Sequence, residues 1–487
     1  MVHFAFIDIF LIILYFSAII WVGYRSRGGQ RGTSGSENPG EADFLLAGRT
    51  LTLPVFVATL VSTWYGGILG TGEYSYSFGL ASWVIFGAPY YVFALIFALF
   101  LAGRVRETGL LTIPDKLACH YGQPAALLGA LLVFLLVTPA PYLLMLGVLA
   151  QLIFGLPLSL TLLLVTLTSI IYLIKGGFRA NVMVNLVEFL LMFLGFFLII
   201  GFALHSYGGP AFLRHNLPPV NLTWTGGNPP QFILVWFFIA LWTLVDPGFH
   251  QRCYAARDSA TARRGILVSI LFWMLFDFLT TTTGLYARAV LPRLESPIFS
   301  YPLLAERLLP PVAKALFFIG LLATIMSTLS SYAFIGGMTI GNDIAGRLAR
   351  WRRDREAGTQ PGGRDATHPA AIDALVKRWT QIGLLLASLY GILLALALPS
   401  VVRIWYAVGT TCIPGLLLPV LAGYMPGLVL KPRYAFAAML GGWLLSLTWL
   451  LWGVLHPSGY WWGIEPMYPG LALSLLIGLA GIRRTRM

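Results

Sequence analysis

Thirteen stretches of this chain are apolar over about the length of a bilayer crossing, and that pattern leaves few folds open. A hydrocarbon core about 30 Å thick is crossed by about 20 residues of α-helix. The runs cover roughly 4–24, 50–71, 79–103, 126–153, 157–174, 180–205, 231–249, 265–287, 312–343, 379–398, 402–423, 434–454 and 468–482. The fourth and fifth are parted only by Gly155-Leu156-Pro157. Of 487 residues, 58% are hydrophobic and 10% charged. A soluble domain carries about 25% charged residues. Lipid must therefore cover much of the surface, and the chain reads as an all-α integral membrane protein. The first run is too long for the apolar core of a signal peptide and lacks a small-residue cleavage site, so it reads as a span.

The formal net charge is +13. On a soluble protein that excess points to nucleic acid. Here its pattern points to the membrane, because basic residues collect in cytoplasmic loops. With the N-terminus outside, 26 of the 32 Lys and Arg fall in inner loops and 6 in outer ones. A missed or extra span in the middle would scramble that split. The expected topology is multi-pass in the cell membrane, N-terminus outside and C-terminus cytoplasmic. The inner segment 345–378 reads as a solvated linker and the outer segment 206–230, rich in Pro and Gly, as a loop. Cys119, Cys253 and Cys412 lack metal-ligand spacing. No nucleophile–base pattern stands out, so no enzyme and no organic cofactor is expected. A Gly-x-x-x-x-Gly-Lys-Ser/Thr phosphate loop is also missing, which argues against direct ATP coupling.

Two spans are interrupted. The second reads Val61-Ser62-Thr63-Trp64-Tyr65-Gly66-Gly67-Ile68-Leu69-Gly70-Thr71-Gly72. The seventh contains Asp246-Pro247-Gly248, where proline removes a donor and glycine permits unwinding. The two breaks are five spans apart. Spans 2–6 and 7–11 thus form candidate five-helix halves, and an odd number per half inverts the second. Inverted repeats with paired broken helices at the binding site mark many secondary transporters. The expected division is 1–48 for the first helix and its loop, 49–205 for one repeat and 206–230 for the outer loop. The second repeat is 231–423, and 424–487 holds two C-terminal helices.

In the ninth span Thr324, Ser327, Thr328 and Ser331 share one helical face. Such hydroxyls, with carbonyls of an unwound helix, suit a dehydrated sodium ion. They equally suit close helix packing, where small residues let backbones approach.

The chain resembles the sodium:solute symporter family, which includes bacterial proline, sugar, sialic acid and pantothenate carriers. The resemblance rests on Asp43-Phe44-Leu45-Leu46-Ala47-Gly48-Arg49, on Gly176-Gly177, and on Gln251-Arg252 followed by Ala255-Ala256-Arg257 and Ala262-Arg263-Arg264-Gly265. Its most specific part is Met326-Ser327-Thr328-Leu329-Ser330-Ser331. It implies a fold similar to the leucine transporter, with about thirteen spans and a 5+5 inverted-repeat core. It also implies a sodium site formed by the carbonyls of Leu60, Thr63 and Thr324 and the hydroxyls of Ser327 and Thr328. Some relatives hold a second sodium with an aspartate where this chain has Asn185, and a neutral amide argues against that ion. Glu188 lies one turn further on. The polar pair of sugar carriers is replaced by Trp64-Tyr65-Gly66-Gly67.

Ionisable residues inside spans mark function by default. Asp246 sits at the seventh-span break, and Asp277 sits mid-span in the eighth. They are read either as solute contacts or as structural groups, Asp246 capping the broken helix and Asp277 pairing with a hydroxyl such as Thr281. His250 reads as a solvated helix-end residue and Asp8 as structural. The expected solute contacts are Trp64, Tyr65, Gly66, Gly67, Trp242, Asp246 and Asp277. The reading is a sodium-coupled symporter importing a small polar organic solute by alternating access. The alternatives are a proton-coupled transporter of the same fold and a non-transporting sensor. Sensor relatives continue into a kinase domain, whereas this chain stops just after Arg486.

Overall fold

The computed structural model describes residues 2–26, 41–356, 370–457 and 459–484. Eleven of its helices are long and apolar enough to cross a membrane, and two shorter apolar helices match the remaining runs. In chain order they are span 1 (Phe6–Arg25), span 2 (Leu53–Phe78), span 3 (Ala81–Glu107), span 4 (Gln123–Phe154), span 5 (Leu158–Ile170), span 6 (Leu173–Tyr207) and span 7 (Pro230–Ala255). Then follow span 8 (Ser259–Val290), span 9 (Ala313–Arg353), span 10 (Ala371–Ala397), span 11 (Val401–Tyr424), span 12 (Pro432–Leu455) and span 13 (Met467–Gly481).

Helices dominate because backbone amides in lipid must be satisfied within their own segment. Some ends are set by side-chain caps. Asp258 accepts from Thr261 N at 2.7 Å to start span 8, and Gly208, at φ +89°, stops span 6. A short antiparallel pair, Leu428–Leu430 with Ile482–Arg484, ties the C-terminal segment to the turn before span 12.

Two connecting segments are more ordered than their composition suggests. Pro210–Asn216 is a two-turn helix started by its proline. Leu80 N then donates to Asn221 O at 2.9 Å, fastening 206–230 over the start of span 3. Within 345–378, Arg347–Glu356 continues span 9 as helix and span 10 begins before 378. The middle of that expected linker, 357–369, lies outside the described residues.

Span 9 forms the centre, buried along its whole apolar length. Small residues make that possible. A Cβ on Gly320 would stand 2.9 Å from Leu191 O, so spans 6 and 9 cross almost in backbone contact. A Cβ on Gly341 would stand 2.1 Å from Thr380 Oγ1, which seats span 10 on the other side.

Span 2 narrows to one 3-10 turn at Tyr65–Gly67 between helices Leu53–Trp64 and Ile68–Phe78. Span 7 breaks fully, with Asp246 in extended conformation (ψ 119°) between Trp242–Val245 and Pro247–Ala255. Span 4, expected as one helix, has a further break between Leu136 and Ala140, at Thr138-Pro139.

Gly177 kinks span 6 at φ +58°, ψ −151°, a region open in practice only to glycine. A Cβ there would stand 2.5 Å from Phe44 O, so the stretches before spans 2 and 6 meet at this point. Gly177→Ala is therefore expected to destabilise the protein by about 1–3 kcal/mol, read as a lowered thermal midpoint in detergent. Gly201→Ala, with negative φ and nothing within 4 Å of its Cβ, is expected to leave the midpoint within error.

Candidate solute and ion sites

Spans 2 and 9 meet just before the 3-10 turn. Ser327 Oγ lies 2.8 Å from Ser62 O and 2.9 Å from Thr324 O. Thr328 Oγ1 donates to Thr63 O at 2.6 Å. Two hydroxyls and three carbonyls thus converge, all from buried residues. Gly66 permits the approach, since a Cβ there would stand 2.3 Å from Thr328 Oγ1. An oxygen cluster of this kind suits a hard cation. Four of the five expected ion ligands, Thr63, Thr324, Ser327 and Thr328, are brought together. Leu60 is buried one turn before Thr63, and the carbonyl that Ser327 meets is that of Ser62.

Arg252 follows the span 7 break and was expected in a cytoplasmic loop. It is fully buried instead. Its Nη2 donates to Thr63 Oγ1 at 2.8 Å and to Ser331 Oγ at 2.9 Å, while Nη1 donates to Gln251 Oε1 at 3.1 Å. One guanidinium therefore ties broken span 7 to spans 2 and 9 beside the oxygen cluster. Adjacency to Arg257, Arg263 and Arg264 in sequence conceals this, because a helix continuing into protein and one emerging into water read alike.

On the far side of Thr63 lies the Asn185 amide. With its oxygen toward Thr63 Oγ1 (3.3 Å), its nitrogen donates to Asn181 O and Glu188 Oε2, each at 3.2 Å. Glu188 is fully buried and also accepts from Tyr15 OH at 3.4 Å. A buried guanidinium and a buried carboxyl group thus flank the neutral Asn185, neither in a direct salt bridge among the described residues. Asp8 accepts from Ala5 N and Val312 N at 2.9 and 2.8 Å, a structural clasp between span 1 and the start of span 9.

Beyond the turn lies a cavity of about 100 Å³. Span 2 contributes Trp64, Tyr65, Gly67 and Thr71, and span 3 contributes Phe86 and Tyr90. Tyr142 comes from span 4, Trp236, Ile239 and Trp242 from span 7, Asp277 from span 8, Tyr332 from span 9 and Trp405 from span 11. Gly67 admits the last of these, because a Cβ there would stand 2.0 Å from the Trp405 ring. Asp277 accepts a hydrogen bond from Tyr91 OH, a tertiary partner, rather than from Thr281 on its own helix.

Asp246 stands behind the cavity wall. Its Oδ1 caps helix Pro247–Ala255 by accepting from Phe249 N at 2.9 Å. Its Oδ2 accepts from Trp242 Nε1 at 3.1 Å and Tyr332 OH at 2.8 Å. It therefore both caps the broken helix and orients two rings of the wall.

Of the seven expected solute contacts, Trp64, Tyr65, Gly67, Trp242 and Asp277 line the cavity. Gly66 packs on Thr328 instead, and Asp246 acts through Trp242 and Tyr332. His250, expected to be solvated, is buried with Nε2 3.2 Å from Leu244 O. The walls from spans 3, 4 and 11 were not anticipated. Only Tyr332 carried a usable signal, one helical turn beyond Thr328.

Arg252→Lys is expected to lower the thermal midpoint, because an ammonium cannot reproduce the fork that reaches Thr63, Ser331 and Gln251 together. The expected loss is about 1–3 kcal/mol, the scale of buried polar groups left unpaired. An unchanged midpoint would show that the fork contributes nothing.

The sequence matches the sodium:solute symporter family over residues 44–360. A sodium/pantothenate symporter from Haemophilus influenzae is 27% identical over 306 residues, 59% of this chain and 63% of the relative. Its Escherichia coli counterpart is 26% identical over 197 residues, 39% of this chain and 41% of the relative. The chain thus spans less than two thirds of these two relatives. High-affinity choline transporter 1 from Drosophila melanogaster is 29% identical over 272 residues, 53% of this chain and 41% of the relative. Among solved structures, a Na+-coupled sialic acid symporter in a substrate-bound outward-open state superimposes with a TM-score of 0.78 at 15% identity. The match covers 99% of this chain and all of that one. MhsT in complex with L-phenylalanine gives a TM-score of 0.51 at 15% identity, covering 88% of this chain and 98% of that one. The fold is that of leucine-transporter-like proteins, as the family resemblance implied. With its oxygen cluster and aromatic cavity on either side of a broken second span, the chain belongs to the sodium:solute symporter family.

Proposed function

We propose that this protein imports a small polar organic solute together with sodium by alternating access. The observation that carries the reading is the Tyr65–Gly67 turn, which is shared by two sites. On one side Gly66 packs against Thr328 of the oxygen cluster. On the other, Tyr65 and Gly67 line the cavity. Sodium binds between the carbonyls of Thr63 and Thr324 and the hydroxyls of Ser327 and Thr328, with a further carbonyl from Ser62 or Leu60. To do so it displaces hydroxyl–carbonyl hydrogen bonds and holds spans 2 and 9 together. A turn held from one side presents a fixed surface on the other, so sodium raises solute affinity and solute raises sodium affinity by the same factor. The loaded core then rocks between outward and inward openings. The N-terminus faces outward and the C-terminus the cytoplasm.

Relatives named for sodium with pantothenate and for sodium with glucose share the ion but not the solute, and a third is named for choline. The cavity walls, rather than the oxygen cluster, therefore set the solute.

Purified protein is expected to gain thermal stability as sodium is titrated in, and Ser327→Ala with Thr328→Ala is expected to abolish the gain. An undiminished sodium response in the double variant would sink the site. Stabilisation and uptake driven by a pH gradient in sodium-free buffer would instead establish proton coupling. For topology, a C-terminal reporter that matures only in the cytoplasm is expected to be active. Activity of a reporter functional only outside the cell would reverse the orientation.

A further inference from the structure

We infer that the transported solute is an organic cation, with an ammonium head of quaternary or similar size seated among Trp64, Tyr90, Tyr142, Trp242, Tyr332 and Trp405. This rests on the transporter reading and deepens it. Indole and phenol faces carry negative charge density and attract a cation within about 6 Å of the ring centre. Edge-to-face pairing turns these rings toward different directions around the cavity. Trp64 and Tyr90 cross at 70° with centroids 5.2 Å apart, and Tyr142 and Tyr332 cross at 87° with centroids 5.4 Å apart. A hydroxyl that donates to a carboxylate makes its ring more electron-rich, and Tyr332 does so to Asp246.

The second observation is charge. Asp277 lines the same cavity and, among the described residues, has no Lys, Arg or His nitrogen within salt-bridge distance. Its hydrogen-bond partner, Tyr91 OH, is neutral, so a carboxylate at this depth lacks a counter-charge that a bound cation would supply. The cavity lining itself contains no Lys, Arg or His. The basic groups on the neighbouring half of span 7 are committed elsewhere, Arg252 to Thr63 and Ser331 and His250 to the Leu244 carbonyl.

The third observation weighs against the other solute classes. An anion would meet Asp277 and the ring faces with nothing to compensate its charge. A sugar needs several hydrogen-bond partners around its ring. Three polar groups here are already given away, Tyr65 OH to Trp273 O and Trp242 Nε1 and Tyr332 OH to Asp246, which leaves Trp236 Nε1 buried without a partner among the described residues. The volume is also small: a dry cavity of about 150 Å³ holds a benzene, so about 100 Å³ suits a compact head group.

The test uses the full-length purified protein in sodium-containing buffer, with ligand-induced thermal shift as readout. The probes are tetramethylammonium, choline, its neutral isostere 3,3-dimethyl-1-butanol, pantothenate and glucose. Tetramethylammonium and choline are expected to stabilise, with the neutral isostere at least about tenfold weaker and the last two inert. Asp277→Asn is expected to weaken choline at least about tenfold, and Trp405→Phe, which keeps a ring in place, several-fold. Equal affinity for choline and its isostere, or stabilisation by pantothenate or glucose without the cations, would overturn the assignment. Sodium alone is titrated in parallel. A sodium response that depends on Ser327 and Thr328, with no cation binding, overturns the solute class and leaves the coupling site standing. Cation binding indifferent to sodium does the reverse.

Discussion

The contact on which the rest depends is the packing of one 3-10 turn, Tyr65–Gly67, between a threonine and a tryptophan. Bare backbone at bilayer depth survives only where protein covers it. Thr328 covers Gly66 and Trp405 covers Gly67, each so closely that a single methyl would collide. Those two coverings are also the two sites. The oxygen cluster sits where Thr328 reaches Thr63 O, and the aromatic cavity begins at Trp405. In the proposed mechanism structural necessity and coupling share one element, so whatever tightens one side would be felt on the other.

The broken seventh span is managed differently. Asp246 replaces the missing helical bonds with its own carboxylate, capping Phe249 N, and uses its second oxygen to hold Trp242 and Tyr332. Arg252, six residues on, reaches back to Thr63 and Ser331. A fixed positive charge beside a candidate cation site lowers the affinity such a site would otherwise have. Weak binding is useful where an ion must also be released.

Much of this was legible in the residues. The thirteen runs correspond to thirteen helices because apolar length is a local property that lipid enforces on each segment separately. Both breaks were visible, since Gly66-Gly67 and Asp246-Pro247-Gly248 act on their own backbone. The face of Thr324, Ser327, Thr328 and Ser331 was visible because helical periodicity is local too. The Thr138-Pro139 break escaped notice because prolines such as Pro139 and Pro141 inside an apolar run are common in membrane helices. Arg252 and His250 were misjudged because burial at a helix end depends on what packs there. For Asp277 the structural alternative looked to a hydroxyl on its own helix, such as Thr281, whereas its partner Tyr91 comes from span 3.

The sequence by itself therefore determined an all-helical membrane chain, the breaks in its second and seventh spans and the hydroxyl face available to an ion. Each of those follows from the solvent and from spacing along one segment. Only the tertiary structure decided that Ser62 rather than Leu60 meets Ser327, that Gly66 and Gly67 serve opposite neighbours, and that rings from six spans enclose Asp277. Those are contacts between segments far apart in the chain, set by how closely small residues let helices approach, and no spacing within one segment encodes them.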